Sequence, residues 1–156
     1  MNLHLVIQSQ YLAALRMLRQ AIVKCPESLW DAPGKQDKFW RKSYHALFYA
    51  HLYLQHTEKD FIAWEKHHDP DGEAPFTKSE VLEYLSFVEK QVADSVSVTD
   101  LEAESGFHWL PFDKLELQLY NIRHIQQHSG ELYERLDAHE NIELSWVSSG
   151  SLKEQE

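Results

Sequence analysis

His124 and His128 stand four residues apart in the stretch RHIQQHSGEL. On a helix that spacing places both imidazoles on one face, one turn apart, where they can converge on a single metal ion. Asn121 and Glu131 share the same side of such a helix, and Ile122, Ile125 and Leu132 flank it. The pair alone is weak evidence. The chain holds 10 His in 156 residues, and chance supplies about 0.6 such pairs. Two imidazoles also hold a metal poorly, so a third ligand must come from another element.

That element is the apolar stretch FWRKSYHALFYAHLYL, which offers His45 and His51, with His56 just beyond it. Six helical residues turn His51 roughly 120° away from His45, and His56 lies about 16 Å further along the axis than His45. One site can use one of the three. His45 sits well inside the segment among apolar neighbours. His56 lies near its end and is expected in solvent. His51 is the second choice, and a core histidine bonded to a neighbour is its more ordinary reading.

These residues need helices to position them, and the periodicity predicts four. Segment one covers 2–24, with Leu3, Ile7, Tyr11, Ala14, Leu18 and Ala21 at helical spacing; Cys25-Pro26 stops it. Segment two covers 37–57 and is apolar around most of its circumference, as suits a helix deep in a bundle or at a subunit contact. The stretch HHDPDGEAP (67–75) reads as a loop. Segment three covers 78–98, opened by Thr77 with Glu80 three residues on. Segment four covers 114–137, opened by Asp113 with Glu116 in the same relation. A domain at 1–141 is therefore expected, all-α, a four-helix bundle with a long connection between its second and third helices. Residues 142–156 read as a C-terminal extension, with a short extended piece at 142–147 and a frayed tail.

Composition narrows the function. The formal net charge is −10; a surface this acidic repels phosphate backbones and anionic lipid, so neither nucleic acid nor membrane is an expected partner. The single cysteine, Cys25, excludes an internal disulfide, and a buried inert thiol is its default role. No signal segment and no apolar run of membrane-spanning length are evident. A cytoplasmic location is the expectation, and a homodimer the expected assembly on base rate.

The stretches FWRKSYHALFYAHLYL and RHIQQHSGEL together resemble the DinB-like superfamily of small bacterial four-helix proteins. The first is similar to that family's second helix, which carries one metal-binding histidine. The second is similar to its HxxxH stretch, with Ser129-Gly130-Glu131 where an Arg-Gly-Gln type sequence is often seen. The resemblance implies His45, His124 and His128 as ligands of one divalent ion, with zinc, nickel and iron all acceptable to imidazole. It further implies either a metal-dependent hydrolase or a thiol-dependent transferase acting on a small molecule, in the second case with a low-molecular-weight thiol. The competing expectation is a non-enzymatic helical protein whose metal or histidine cluster serves stability, sensing or partner binding. No catalytic residue can be assigned from the sequence. Glu131 reads as a solvated helix residue, Tyr49 as core or cavity wall, and Trp40, Phe107 and Trp109 as a pocket mouth.

Overall fold

The computed structural model describes residues 1–33, 37–70 and 74–150. They form an all-helical protein: α1 (Leu3–Lys24), α2 (Glu27–Trp30), α3 (Phe39–Tyr53), a 3-10 turn (Glu58–Asp60), α4 (Lys78–Val96) and α5 (Lys114–Glu140). The four long helices pack in the cyclic order α1, α5, α3, α4, each against two neighbours. Among the described residues no helix is long and apolar enough to cross a membrane.

The predicted starts of segments three and four hold because their caps form, whereas segment two begins at Phe39 rather than 37, with no side-chain cap. Thr77 Oγ1 accepts the Glu80 amide at 3.2 Å, while the Glu80 carboxylate takes the Thr77 amide at 2.8 Å. Asp113 Oδ1 accepts the Glu116 amide at 2.8 Å. Each cap satisfies an amide that the first helical turn leaves without a partner.

The ends differ more. Segment two stops at Tyr53 rather than 57, because Leu54 and Gln55 close tighter bonds to the carbonyls of His51 and Leu52. The ammonium of Lys114 then takes the carbonyls of Gln55, His56 and Ser105. Segment four runs on to Glu140, closed by Asn141 in the left-handed region at φ 51, a conformation that asparagine tolerates well. A short helix that periodicity missed, α2, follows Cys25-Pro26, with Pro26 supplying its first carbonyl acceptor.

The core is aliphatic between α1, α4 and α5, through Leu15, Leu18, Leu85, Val88, Ile125 and Leu132. It turns aromatic toward α3 and the 54–77 connection, where Tyr44 stacks on Phe76 at 4.1 Å and Trp64 on Tyr84 at 4.8 Å. The apolar circumference of α3 is thus covered within one chain, by α4, α5 and the connection folded over it. Residues 67–70 and 74–75 carry no helix or strand, as expected; 71–73 lie outside the described residues. Beyond Asn141 the chain runs back along α1. Gln20 bonds the Ser145 amide and carbonyl, Gln10 the Ser148 carbonyl, and Ser9 the Gly150 amide. A β-carbon on Gly150 would sit 2.3 Å from Leu12 Cβ and 2.5 Å from the Ser9 carbonyl, so only glycine approaches α1 that closely. The extension is a strap through 150; the tail expected beyond lies outside the described residues.

His51 belongs to this core and not to the candidate site. It is 3% exposed, and its Nδ1 lies 3.1 Å from the Tyr84 hydroxyl. Burial pulls its pKa from 6.5 down to about 4. Below pH 6.5 the unfolded chain therefore binds a proton that the folded chain refuses. Stability is full above pH 6.5 and falls as the pH drops toward 4, by roughly 3 kcal/mol from this residue. Urea unfolding of the wild type at pH 7 and pH 4.5 should show a loss that shrinks by about that amount in His51→Asn.

Candidate metal centre

α3 and α5 run antiparallel, and their facing sides bring three histidines together. The His45, His124 and His128 rings lie 5.3, 4.9 and 4.5 Å apart, centroid to centroid, in the pairs 45–124, 45–128 and 124–128. One nitrogen from each falls within 4.8 Å of the other two, so the group can hold a metal ion. His56 and His51 lie elsewhere, and so do His4, bonded to the Thr99 carbonyl, and His139, near Ser28.

Helix packing explains the convergence. Ile125, Leu132 and Leu136 pin α5 into the core on its buried side, and this leaves the 124, 128 and 131 positions facing α3 near its solvent edge. His124 and His128 are half-buried, whereas His45 is exposed.

Electrostatics favour neutral imidazoles. Burial lowers the pKa of His124 to about 4, and the neighbouring His128 and His45 push it in the same direction. His45 is lowered by burial first, then by His128 and Lys42, against the pull of Asp37 and Glu131. Neutral imidazole is the form that donates to a metal.

Glu131 gives His128 a defined tautomer. Its Oε2 lies 3.0 Å from His128 Nδ1 and accepts Lys42 Nζ at 2.7 Å, while Oε1 accepts Gln127 Nε2 at 3.2 Å. Partial burial raises the Glu131 pKa, but the bonds from Lys42, His128 and Gln127 outweigh it and hold the carboxyl at about 2. The carboxylate is acceptor-only, so the His128 proton sits on Nδ1 and Nε2 offers a lone pair. Nε2 of His128 lies 3.1 Å from Nε2 of His124. Two metal–imidazole bonds of about 2.0–2.1 Å at a tetrahedral angle separate their nitrogens by about 3.3 Å. The spacing of this pair therefore fits one small divalent ion, and His45 is within reach as a third donor. His124 Nδ1 is buried and has no hydrogen-bond partner among the described residues. Nothing there competes for the orientation of that ring.

The exposed side of His45 opens into a cleft of about 440 Å³ between α3 and residues 67–70. Tyr49 stands 4.8 Å from the His45 ring and 5.6 Å from the His124 ring, so it faces the centre rather than the core. The other expected aromatics do not. Trp40 is buried with its indole nitrogen bonded to Asp31 at 2.7 Å. Phe107 belongs to a small cluster with Leu52, Tyr53 and Leu117, and Trp109 packs on Phe107 and His108. Both sit by the N-terminal end of α5, about 15 Å of helix below His124. The real mouth is formed by Tyr44, Phe48 and Tyr49.

Glu131 is the other revision: it is tied to His128 and Lys42 rather than left in solvent. Lys42 was not singled out by sequence, yet it stands three residues before His45, as Glu131 stands three residues after His128. That spacing was the available signal. Cys25 is buried, and its thiol is pushed up to about 12, by burial first and against the opposing charges of Lys78 and Arg135; it is no nucleophile.

No family model, no curated protein and no solved structure matches this chain.

Proposed function

We propose that this chain is a metal-binding protein of the DinB-like superfamily, a four-helix bundle in which His45, His124 and His128 hold one divalent ion. We propose further that it acts on a small molecule, as a hydrolase or a thiol-dependent transferase. The observation that carries the reading is the convergence of three imidazoles from two helices within 4.8 Å, with one of them open to a cleft. Three neutral donors with an accessible remaining position suit a reactive centre better than a structural one, which four ligands usually close. An ion held there supplies Lewis acidity, activating a water or a thiol at neutral pH. The protein's part is to orient His128 through Glu131, to favour neutral imidazoles at His45 and His124, and to wall the open side with Tyr49 and Phe48.

Glu131 should act through His128 rather than on the ion itself. Glu131→Gln keeps the shape but loses the charge that fixes the tautomer. It is expected to weaken metal affinity by roughly 10- to 100-fold, the range seen when such a supporting hydrogen bond is removed. Competition against a fluorescent chelator measures it; an unchanged affinity would remove Glu131 from the centre.

The Lys42–Glu131–His128 chain also joins α3 to α5, and this favours a second reading in which the metal serves stability or partner binding without turnover. Elemental mass spectrometry of the untagged protein tests the site: near one zinc, nickel or iron per chain is expected, and a protein that neither carries nor takes up metal sinks both readings. Azide or a small thiol added to the cobalt-substituted protein separates them. A changed visible spectrum indicates an exchangeable position and supports the reactive reading; an unchanged one favours the structural alternative. For assembly we propose a homodimer, which a monomeric mass in light scattering would remove.

A further inference from the structure

The cleft beside His45 has a second wall that the metal centre does not use. His67, from the 54–77 connection, lines it with an exposed ring 5.4 Å from Phe48 and 5.8 Å from Tyr44. The Tyr44 hydroxyl lies 2.5 Å from His67 Nδ1. Tyr44 itself is only 2% exposed, clamped between Phe76 at 4.1 Å and Tyr84 at 5.2 Å. A phenol held this way donates its one proton to Nδ1, and His67 then offers its own proton on Nε2, the ring's other nitrogen. A buried ring thus fixes the donor direction of an exposed one.

Charge points to the ligand. An ion on three neutral imidazoles keeps its whole positive charge, and Glu131 is already matched by Lys42. Arg41, one turn before His45, lines the same cleft, with Asp37 as the acid at its rim. The charge of an ion held at the centre favours an anion. The remaining walls are flat: the rings of Phe48 and Tyr49 meet at 79° with centroids 5.6 Å apart. A volume of about 440 Å³ is at the small end of ligand pockets.

We propose that this cleft is the subsite for a small aromatic carboxylate, its ring against Phe48 and Tyr49 and one carboxylate oxygen accepting the Nε2 proton of His67. The proposal deepens the metal-centre reading and rests on it for the positive charge. Tyr44 is the positioning residue, acting through His67.

Benzoate is the probe, with acetate (charge without ring) and benzamide (ring without charge) as controls. Each is titrated into metal-free and zinc-loaded protein and followed by backbone and imidazole nitrogen NMR. Benzoate is expected to shift Phe48, Tyr49 and His67 in the loaded protein, at least tenfold tighter than either control. His67→Ala, which replaces an exposed ring, should weaken benzoate about tenfold, the effect of losing one hydrogen bond to a charged group. Tyr44→Phe should convert His67 from the Nε2–H tautomer to a mixture, and this readout needs neither metal nor ligand. Benzoate bound equally by His67→Ala, an Nδ1–H tautomer in the wild type, or no benzoate shift in either form would overturn the subsite. Failure of zinc to load is a separate result: it removes the metal centre, while the His67 tautomer and any benzoate shift in the metal-free protein still decide the subsite.

Discussion

His124→Ala is expected to lose stoichiometric metal while keeping its fold. In the proposed centre the imidazole is one of three donors, and two histidines hold a divalent ion too weakly to retain it through purification; a fall in affinity on the order of a thousandfold or more is expected. The fold should survive because His124 sits at the solvent edge of α5 and alanine favours helix. Its orphaned Nδ1 means that no hydrogen bond from that atom is lost. Thermal unfolding with and without added zinc reads the difference. At a metal concentration a thousandfold above its dissociation constant, the wild type gains about 4 kcal/mol of stability, and the variant should gain none. His45→Ala and His128→Ala should behave alike. A variant that still shows the full zinc-dependent rise would remove that residue from the centre.

Lys114→Met is expected to be the most destabilising single change outside the apolar core. Lys114 is 3% exposed, and its ammonium takes the carbonyls of Gln55, His56 and Ser105. Burial lowers its pKa, with Asp60 opposing the shift, yet three acceptors and the negative end of α3 compensate the charge. Phe107 lies 5.4 Å beneath the amino group. Methionine matches the volume and strands the three carbonyls, each of which costs about 1–3 kcal/mol when buried without a donor. With partial rehydration the sum is about 3–5 kcal/mol, a melting-temperature drop of roughly 10 °C. Lys114→Ala should be no milder. A drop of 2 °C or less would mean that water reaches those carbonyls freely.

The helices were legible because their signals are local. Thr77 and Glu80, or Asp113 and Glu116, lie within one turn of each other and need no knowledge of the rest of the chain. The pair His124 and His128 is local too, and His45 could be placed beside it through its setting in an apolar helix and through resemblance. What pattern could not supply was register across elements. Lys42 meets Glu131 across 89 positions and Tyr44 meets His67 across 23. Nothing in either sequence neighbourhood says which will face the other. The early end of α3 was hidden for the same reason: the group that takes the carbonyls just beyond it, Lys114, comes from a distant helix. The strap at 142–150 leaves no periodic trace because its bonds go to side chains of α1, with no ladder to repeat.

The Lys114 clip implies a rule about chain length. Gln55 follows His45 by ten residues, and His124 follows Lys114 by ten. On antiparallel helices these are two equal arms of about 15 Å, measured from one fixed point. Inserting or deleting a single residue in either arm would shift one histidine by about 1.5 Å and swing it roughly 100° around its axis, taking it off the facing side. Between these ends, the exposed positions of both arms should therefore tolerate substitution, but neither arm should tolerate a change of length.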